Sequence, residues 1–282
     1  MPELPEVETV VRALAPVLTG RRITGVEVRS RASVAGPPQS LRNVAGRRVE
    51  RVWRRGKFIL LDLSGGYGLA IHLRMTGWLG VAPGFAPTRK SDPYLRVVFK
   101  LDGQGGGEGR ALLFRDIRKF GRIWPGPRQS LLSRRELAGL GPEPLEIGRA
   151  EFVRRLRRRG GRLKTLLLDQ GFLAGLGNIY ADEALYDARL HPLLPARAVC
   201  APAAARLWRA IRRVLRRALA AGGTTLRDYL HPDGSPGYFQ LKLRAYGREG
   251  KPCGRCGALI RRIEVGQRGA WFCPRCQRAG RG

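Results

Sequence analysis

Acidic residues are scarce in this sequence: 22 Asp and Glu face 53 Lys and Arg, a formal net charge of +31 over 282 residues. That imbalance exceeds what solubility needs and points to a polyanionic partner, nucleic acid foremost. A merely solvated basic surface is the competing explanation, and charge alone does not separate the two. Long apolar runs are missing as well. Stretches such as Phe58 to Leu61 or Leu166 to Leu168 fall far short of the roughly 20 residues that span a bilayer, so no membrane partner is expected. The opening Met1-Pro2-Glu3-Leu4-Pro5-Glu6 carries acid where a secretory signal needs positive charge and then an apolar stretch. The expected location is therefore cytoplasmic, in association with the nucleoid. Cysteines number only five, and four of them form two Cys-x-x-Cys pairs, a metal pattern rather than a disulfide ladder. Cys200 is left over and is expected to be inert.

What is present suffices for folded domains: 43% of the residues are hydrophobic, and the length fits two domains with a small appendage. Val7, Val10, Val11 and Leu14 recur at helical spacing, with Pro5 suited to a first turn, so a helix is predicted from Pro5 to Ala15, closed by Pro16. Strand patterns follow at Ile23–Val28, Val49–Val52, Phe58–Leu63, Leu69–Leu73, Leu95–Leu101 and Ala111–Phe114. They predict a β-sandwich with one helix at its edge, and the glycine-rich run 103–109 reads as a hairpin connection rather than a phosphate cradle. Leu140-Gly141-Pro142-Glu143-Pro144 interrupts any regular element, and helical patterns begin beyond it. From Pro202 to Ala221, one face carries Leu207, Ile211, Val214, Leu215 and Leu219, and the other carries Arg209, Arg212, Arg213, Arg216 and Arg217.

Cys253, Cys256, Cys273 and Cys276 are spaced as Cys-x2-Cys, 16 residues, Cys-x2-Cys, which fits one structural four-thiolate Zn2+ site. Between the pairs, strands are predicted at Leu259–Val265 and Ala270–Phe272, joined at Gly266-Gln267-Arg268-Gly269. So small a ribbon depends on its metal to fold.

The start, Pro2-Glu3-Leu4-Pro5-Glu6-Val7-Glu8-Thr9-Val10, resembles that of formamidopyrimidine-DNA glycosylases. Further matches follow in the family's order: Arg55-Gly56-Lys57, His72-Leu73-Arg74-Met75-Thr76-Gly77, Asp116-Ile117-Arg118-Lys119-Phe120-Gly121 and Gly175-Leu176-Gly177-Asn178-Ile179-Tyr180-Ala181. Gly222-Gly223-Thr224-Thr225, Gly237-Tyr238-Phe239 and the cysteine ribbon complete a resemblance that runs from residue 2 to residue 276. Lys119 and Ile117 depart from the common arginine and proline, and the 103–109 insertion has no assigned counterpart.

The resemblance implies an α+β fold with an N-terminal catalytic β-sandwich domain at 1–130, a helix-two-turn-helix DNA-binding domain at 131–240 and a zinc ribbon at 241–282. It implies a monomeric enzyme that binds damaged double-stranded DNA, removes oxidised purines and cleaves the strand by β,δ-elimination. Pro2 matches the nucleophile. Once Met1 is removed its secondary amine, with a pKa near ~7.7 to 8.0 for a free terminus and lower beside a helix start, can attack the sugar C1′. Glu3 matches the general acid that protonates the ring oxygen, with Glu6 supporting it one turn on; both acids also suit a helix N-terminus as such. Lys57 matches the lysine that reaches the lesion and its phosphate, and Arg268 the arginine that holds a lesion phosphate. Met75, Arg118 and Phe120 match the set that fills the void left by an everted base, although packing in a core is the commoner fate of a Met or Phe. Asn178 is expected to cap the helix starting at Ile179 and so to build a phosphate site, with Lys164 near the DNA. His72 and Tyr238 fall among the matched DNA-contacting residues, and 222–238 matches the loop that closes over the everted base. Two other readings remain: the sister family, endonuclease VIII, which prefers oxidised pyrimidines, and a non-catalytic DNA-binding protein with a zinc ribbon.

Overall fold

The computed structural model describes residues 1–37, 39–83, 92–103, 109–226 and 229–279. They form two compact units, Met1–Ala138 with Gly222–Tyr238, and Gly139–Ala221 with Phe239–Gly282. This division differs from three consecutive segments: a piece of the region assigned to the helical domain belongs to the first unit, and the ribbon belongs with the helices.

The first unit opens with α1 (Leu4–Leu18), which buries Val7, Val10, Val11, Leu14 and Leu18 as the periodicity requires. Pro16 does not close α1 but sits within its last turn. A proline there forfeits one i to i−4 bond, yet Leu18, fully buried beyond it, carries the helix on to Thr19, whose N–H reaches the Ala15 carbonyl at 3.1 Å. Eight strands follow: β1 (Ile23–Val28), β2 (Val49–Arg55), β3 (Phe58–Leu63), β4 (Tyr67–His72), β5 (Gly77–Pro83), β6 (Leu95–Leu101), β7 (Arg110–Asp116) and β8 (Arg122–Pro127), with a short helix α2 (Gln39–Arg42) after β1. They make two antiparallel four-stranded sheets, ordered β1-β6-β7-β5 and β2-β3-β4-β8. Facing residues of both sheets and the apolar stripe of α1 share one core that includes Ile59, Leu61, Ile71, Val97, Phe99 and Phe114. Two strands had no sequence signal. In β5, Gly77, Gly80 and Pro83 break the alternation, and β8 holds Pro125 and Pro127, which a sheet tolerates because β8 lies at its edge. Residues 104–108 of the expected glycine-rich hairpin lie outside the described residues; the strands it joins, β6 and β7, are antiparallel neighbours.

Short helices α3 (Arg128–Leu132) and α4 (Arg135–Ala138) end that stretch, and the second unit holds α5 (Arg149–Arg157), α6 (Leu163–Leu168), α7 (Asn178–Ala188) and α8 (Ala201–Ala220). Helix α7 is buried at nine of its 11 positions and packs against α8, α6 and the ribbon, which makes it the axis of the unit. The ribbon pairs β9 (Arg261–Val265) with β10 (Arg268–Phe272), a tighter hairpin than the spacing suggested. Only Gly266 and Gln267 turn the chain, with φ of +58° and +59°, the double left-handed geometry that matches the twist of two-residue hairpins. Arg268 therefore begins β10, opposite Val265, rather than standing in a loop.

Candidate functional site

In the first unit the chemistry gathers around the start of α1. Pro2, Glu3 and Glu6 are buried, where chain ends ordinarily fray. One Glu6 oxygen accepts the Glu3 N–H at 2.7 Å, closing the first turn of the helix. Its other oxygen accepts the N–H of Thr224 at 2.8 Å, and the Tyr229 hydroxyl donates to the Glu6 carbonyl at 3.2 Å. Glu6 thus binds 222–238 to the N-terminus. Gly223 permits the approach: its φ is +83°, and a Cβ there would lie 2.9 Å from Glu6 Oε1. The same segment is fixed on β5 by the indole N–H of Trp78, which donates to the His231 carbonyl at 2.8 Å. It is fixed internally by His231 Nε2, 2.7 Å from the Gly222 carbonyl. Residues 227–228 of this segment lie outside the described residues. Tyr238, at its end, bridges to Thr224 and is 56% exposed.

A second staple leads from α1 to Lys57. Glu8 pairs with Arg54 at 3.0 Å, and Arg54 donates to the Gly56 carbonyl at 2.9 Å, so the turn carrying Lys57 is pinned to the helix. Burial pushes the Glu8 carboxyl up, but hydrogen bonds from Arg12 and Arg54 outweigh it and hold it below its ordinary value. Lys57 itself is buried. His72 lies at the end of β4, where burial, with the charges of Arg74 and Lys57, drives its imidazole down to about 3. It is therefore neutral, and Nδ1 accepts the Arg74 N–H at 3.0 Å.

Met75, Arg118 and Phe120 occupy two loops and are not core residues. Met75 is 41% and Phe120 47% exposed, and the Arg118 guanidinium lies over the Phe120 ring at 4.7 Å. Both loops hang on Asp116, which the sequence had shown only as the first residue of a motif. This carboxylate, 1% exposed, accepts from the Thr76 hydroxyl beside Met75 and from the N–H groups of Arg118 at 3.2 Å and Gly121 at 2.6 Å. Thr76 Oγ1 accepts the Arg118 N–H as well, at 3.1 Å.

In the second unit, Gly177 and not Asn178 is the N-cap of α7, and Asn178 stands at the first helical position. Its side chain is drawn elsewhere: Nδ2 donates to the Gly269 carbonyl at 3.1 Å, joining the start of α7 to the strand that begins with exposed Arg268. Lys164 is fully buried, with Nζ 2.6 Å from Asp182 and 3.0 Å from the Asn178 carbonyl. Burial pushes the Asp182 carboxyl up to about 7, against the pull of Lys164 and the Trp271 N–H. Asp182 thereby holds α6, α7 and β10 together beneath Asn178 and Arg268. The neighbouring Glu183, raised by burial, accepts the N–H groups of Arg244, Ala245 and Tyr246 at 2.8 to 3.0 Å and anchors the approach to the ribbon.

The four cysteine sulfurs lie within 4.8 Å of one another, and pairs of them stand 3.4 to 4.0 Å apart. A tetrahedral zinc with bonds of about 2.3 Å separates its sulfurs by about 3.8 Å, so the cluster can hold one such ion. The Tyr186 hydroxyl, 3.2 Å from Cys253 Sγ, ties it to α7.

Comparison with known proteins places these features in context. The family model for the formamidopyrimidine-DNA glycosylase N-terminal domain matches residues 1–123, that for its H2TH domain residues 140–229, and that for the zinc finger found in FPG and IleRS residues 250–279. A formamidopyrimidine-DNA glycosylase of Pelotomaculum thermopropionicum is 46% identical over 99% of both chains. The MutM (FPG) crystal structure from Thermus thermophilus superposes with a TM-score of 0.85 at 45% identity, covering 100% of both chains. Lactococcus lactis FPG in complex with a Fapy-dG containing DNA superposes at 0.88 with 32% identity, covering 98% of this chain and 100% of that one. Among the described residues, no helix is long and apolar enough to cross a membrane.

Proposed function

The chain belongs to the formamidopyrimidine-DNA glycosylase family, and on that premise we propose that it excises oxidised purines from duplex DNA in base excision repair and then cuts the strand. The observation that carries this reading is the burial of Pro2, Glu3 and Glu6 at a chain terminus. A terminus kept for chemistry must be held in place, as this one is by the packing of α1.

In the encoded chain the Pro2 nitrogen is an amide, so removal of Met1 is the enabling step. The freed amine is a secondary one and attacks C1′ of the everted nucleotide. Its lone pair makes the N–C1′ bond as the glycosidic pair departs with the base, which takes up a proton. Glu3 then gives a proton to the ring oxygen as the C1′–O bond breaks and the amine loses its own, leaving an iminium ion. Elimination at the neighbouring carbons expels the 3′ and then the 5′ phosphate. Lys57, beside neutral His72, serves the lesion and its phosphate. Asn178 and Arg268 serve a phosphate from α7 and β10, and Lys164 supports them from within instead of reaching DNA. Met75, Phe120 and Arg118 fill the vacated stack, which costs a few kcal/mol to open. Tyr238 closes the segment over the extruded base. The zinc ion, when bound, supplies structure alone.

Borohydride reduction tests this reading directly. A duplex with 8-oxoguanine opposite cytosine should yield a covalent adduct at Pro2 from protein lacking Met1. Protein shown by mass spectrometry to retain Met1 should yield none, and neither should an undamaged duplex. Adduct formation with Met1 in place would remove Pro2 from the mechanism. Preferential trapping on an oxidised pyrimidine would move the chain's specificity to the sister family's.

A further inference from the structure

Between α5 and the start of α8 lies an open groove of about 800 Å³. Its lining combines Arg149, Arg154, Arg157 and Arg158 with the apolar Ala150, Val153, Pro202 and Ala205. Among the described residues none of these four guanidiniums makes an ion pair. On the opposite side of the same helix, Arg155 is engaged, donating to the carbonyls of Gly171 and Phe172. Arg154 stands three and four positions from Arg157 and Arg158, a like-charge spacing that opposes the helix it sits on. The C-terminal end of α5 favours cations as such, yet Arg149 stands at its other end, and an anionic occupant would use all four.

The groove is a different surface from the phosphate-facing residues. Asn178 and Arg268 meet on α7 and β10, whereas α5 packs against α8 and the turn at Ala196–Ala198. Its shape and lining also suit another class of ligand. A DNA duplex offers phosphates on a convex surface and is bound chiefly through them, which leaves no use for a lining of Val and Pro. Carboxylates on an extended chain match the bidentate forks of arginine, and an apolar side chain between them can reach the apolar residues. We infer that this groove docks an acidic peptide segment of a partner protein, with one apolar residue anchored on Val153 and Pro202 between arginine-bound carboxylates. The site would recruit the protein to others working on DNA without occupying the DNA-facing residues.

The probe is a fluorescein-labelled nonapeptide, four Asp, one Phe and four Asp, titrated with zinc-loaded full-length protein and followed by anisotropy. We expect saturable binding that weakens about tenfold or more in Arg154→Glu/Arg157→Glu, since desolvated charge pairs are costly to break. The matched reversal Arg209→Glu/Arg216→Glu, on the exposed face of α8, changes the net charge equally and should weaken binding by less than about twofold, as screened surface charges do. Replacing the peptide's Phe by Ser should cost about tenfold, the worth of one buried aromatic. Equal losses in the two reversals, or an indifferent Phe, would reduce the effect to bulk charge and overturn the proposal. An equally large loss of affinity for an intact duplex in the first variant would make the groove a DNA surface and overturn it too. Bound zinc and circular dichroism verify folding, and Arg154→Ala/Arg157→Ala replaces the reversal if either changes. None of these readouts depends on excision, so failure here leaves the glycosylase reading standing.

Discussion

Replacing Glu6 by Gln isolates the contact that joins the N-terminus to 222–238. In the native chain one carboxylate accepts two backbone N–H groups, from Glu3 at 2.7 Å and Thr224 at 2.8 Å, and it is 2% exposed. An amide of the same shape keeps one acceptor and turns an NH2 toward the other N–H, leaving a buried donor without a partner. That orphan costs about 1 to 3 kcal/mol, and the surviving bond loses its charge assistance, worth about 1 kcal/mol more, for a total of roughly 2 to 4 kcal/mol. In a unit of this size each kcal/mol moves the melting temperature by about 2 to 4 °C, so a fall of roughly 4 to 16 °C is expected by calorimetry. The lost bond aligns groups proposed to act in the reaction, so single-turnover excision of 8-oxoguanine should slow as well, by up to roughly 30-fold to 1000-fold if all of that energy appears in the barrier. Duplex affinity should change little, because the contacts proposed for phosphates lie elsewhere. A variant that melts at the native temperature and excises at the native rate would show that Glu6 does not hold the segment in solution.

The remaining predictions follow from neighbouring features. Arg118 offers only donors, which suit the O2 and N3 acceptors of an orphaned cytosine better than the mixed edge of adenine; excision opposite cytosine should be faster by about 5-fold to 150-fold. Arg118→Ala should narrow that gap, and an unchanged ratio of single-turnover rates refutes the assignment. Stripping zinc with a chelator should unfold the ribbon and weaken lesion-duplex binding through Arg268 and Asn178; unaltered affinity after verified metal loss removes the ribbon from the binding surface. His72 has a folded value of about 3 against an ordinary 6.5. The unfolded chain therefore takes up that proton first, and the stability it provides above about pH 6.5 is lost as pH falls toward about 3, with a slope approaching 1.4 kcal/mol per pH unit. His72→Gln should flatten the acid limb of melting temperature against pH, and an identical limb in both proteins would contradict the burial argument.

Much of the scaffold could be read from residue order because it obeys short-range rules. Strands β1, β3 and β6 coincide with runs dominated by apolar and β-branched residues, and the face of α1 follows its periodicity. What escaped depends on distant partners. β8 tolerates two prolines because it is the last strand of its sheet, bridged on its outer side at Ile123 by Val34 but, among the described residues, not at Pro125 or Pro127, and edge position is a property of the sheet. The helical start at Asn178 was misjudged by one position because Gly269, 91 residues away, draws its amide from the capping role. Asp116 looked like one acid in a motif, and only the folded loops disclose that Thr76, Arg118 and Gly121 converge on it. Residue types at the proposed centre were legible, Glu6 among them; its bond to Thr224 and the roles of Asp116 and Asp182 were not, since a buried acceptor is known by its donors.

The return of Gly222–Tyr238 to the first unit has a consequence for how the protein is made. Glu6 and Thr224 are 218 residues apart, so the bond between them forms only after nearly the whole chain exists. At about 5 to 20 residues per second, the ribosome takes roughly 5 to 20 s to pass from the end of the sandwich to the end of that segment. For that interval the sandwich waits with Glu6 lacking its later partner. Assembly of the proposed centre is thus postponed until translation is almost complete, and a nascent fragment released early carries Pro2 and Glu3 but not the segment that Glu6 fastens beside them.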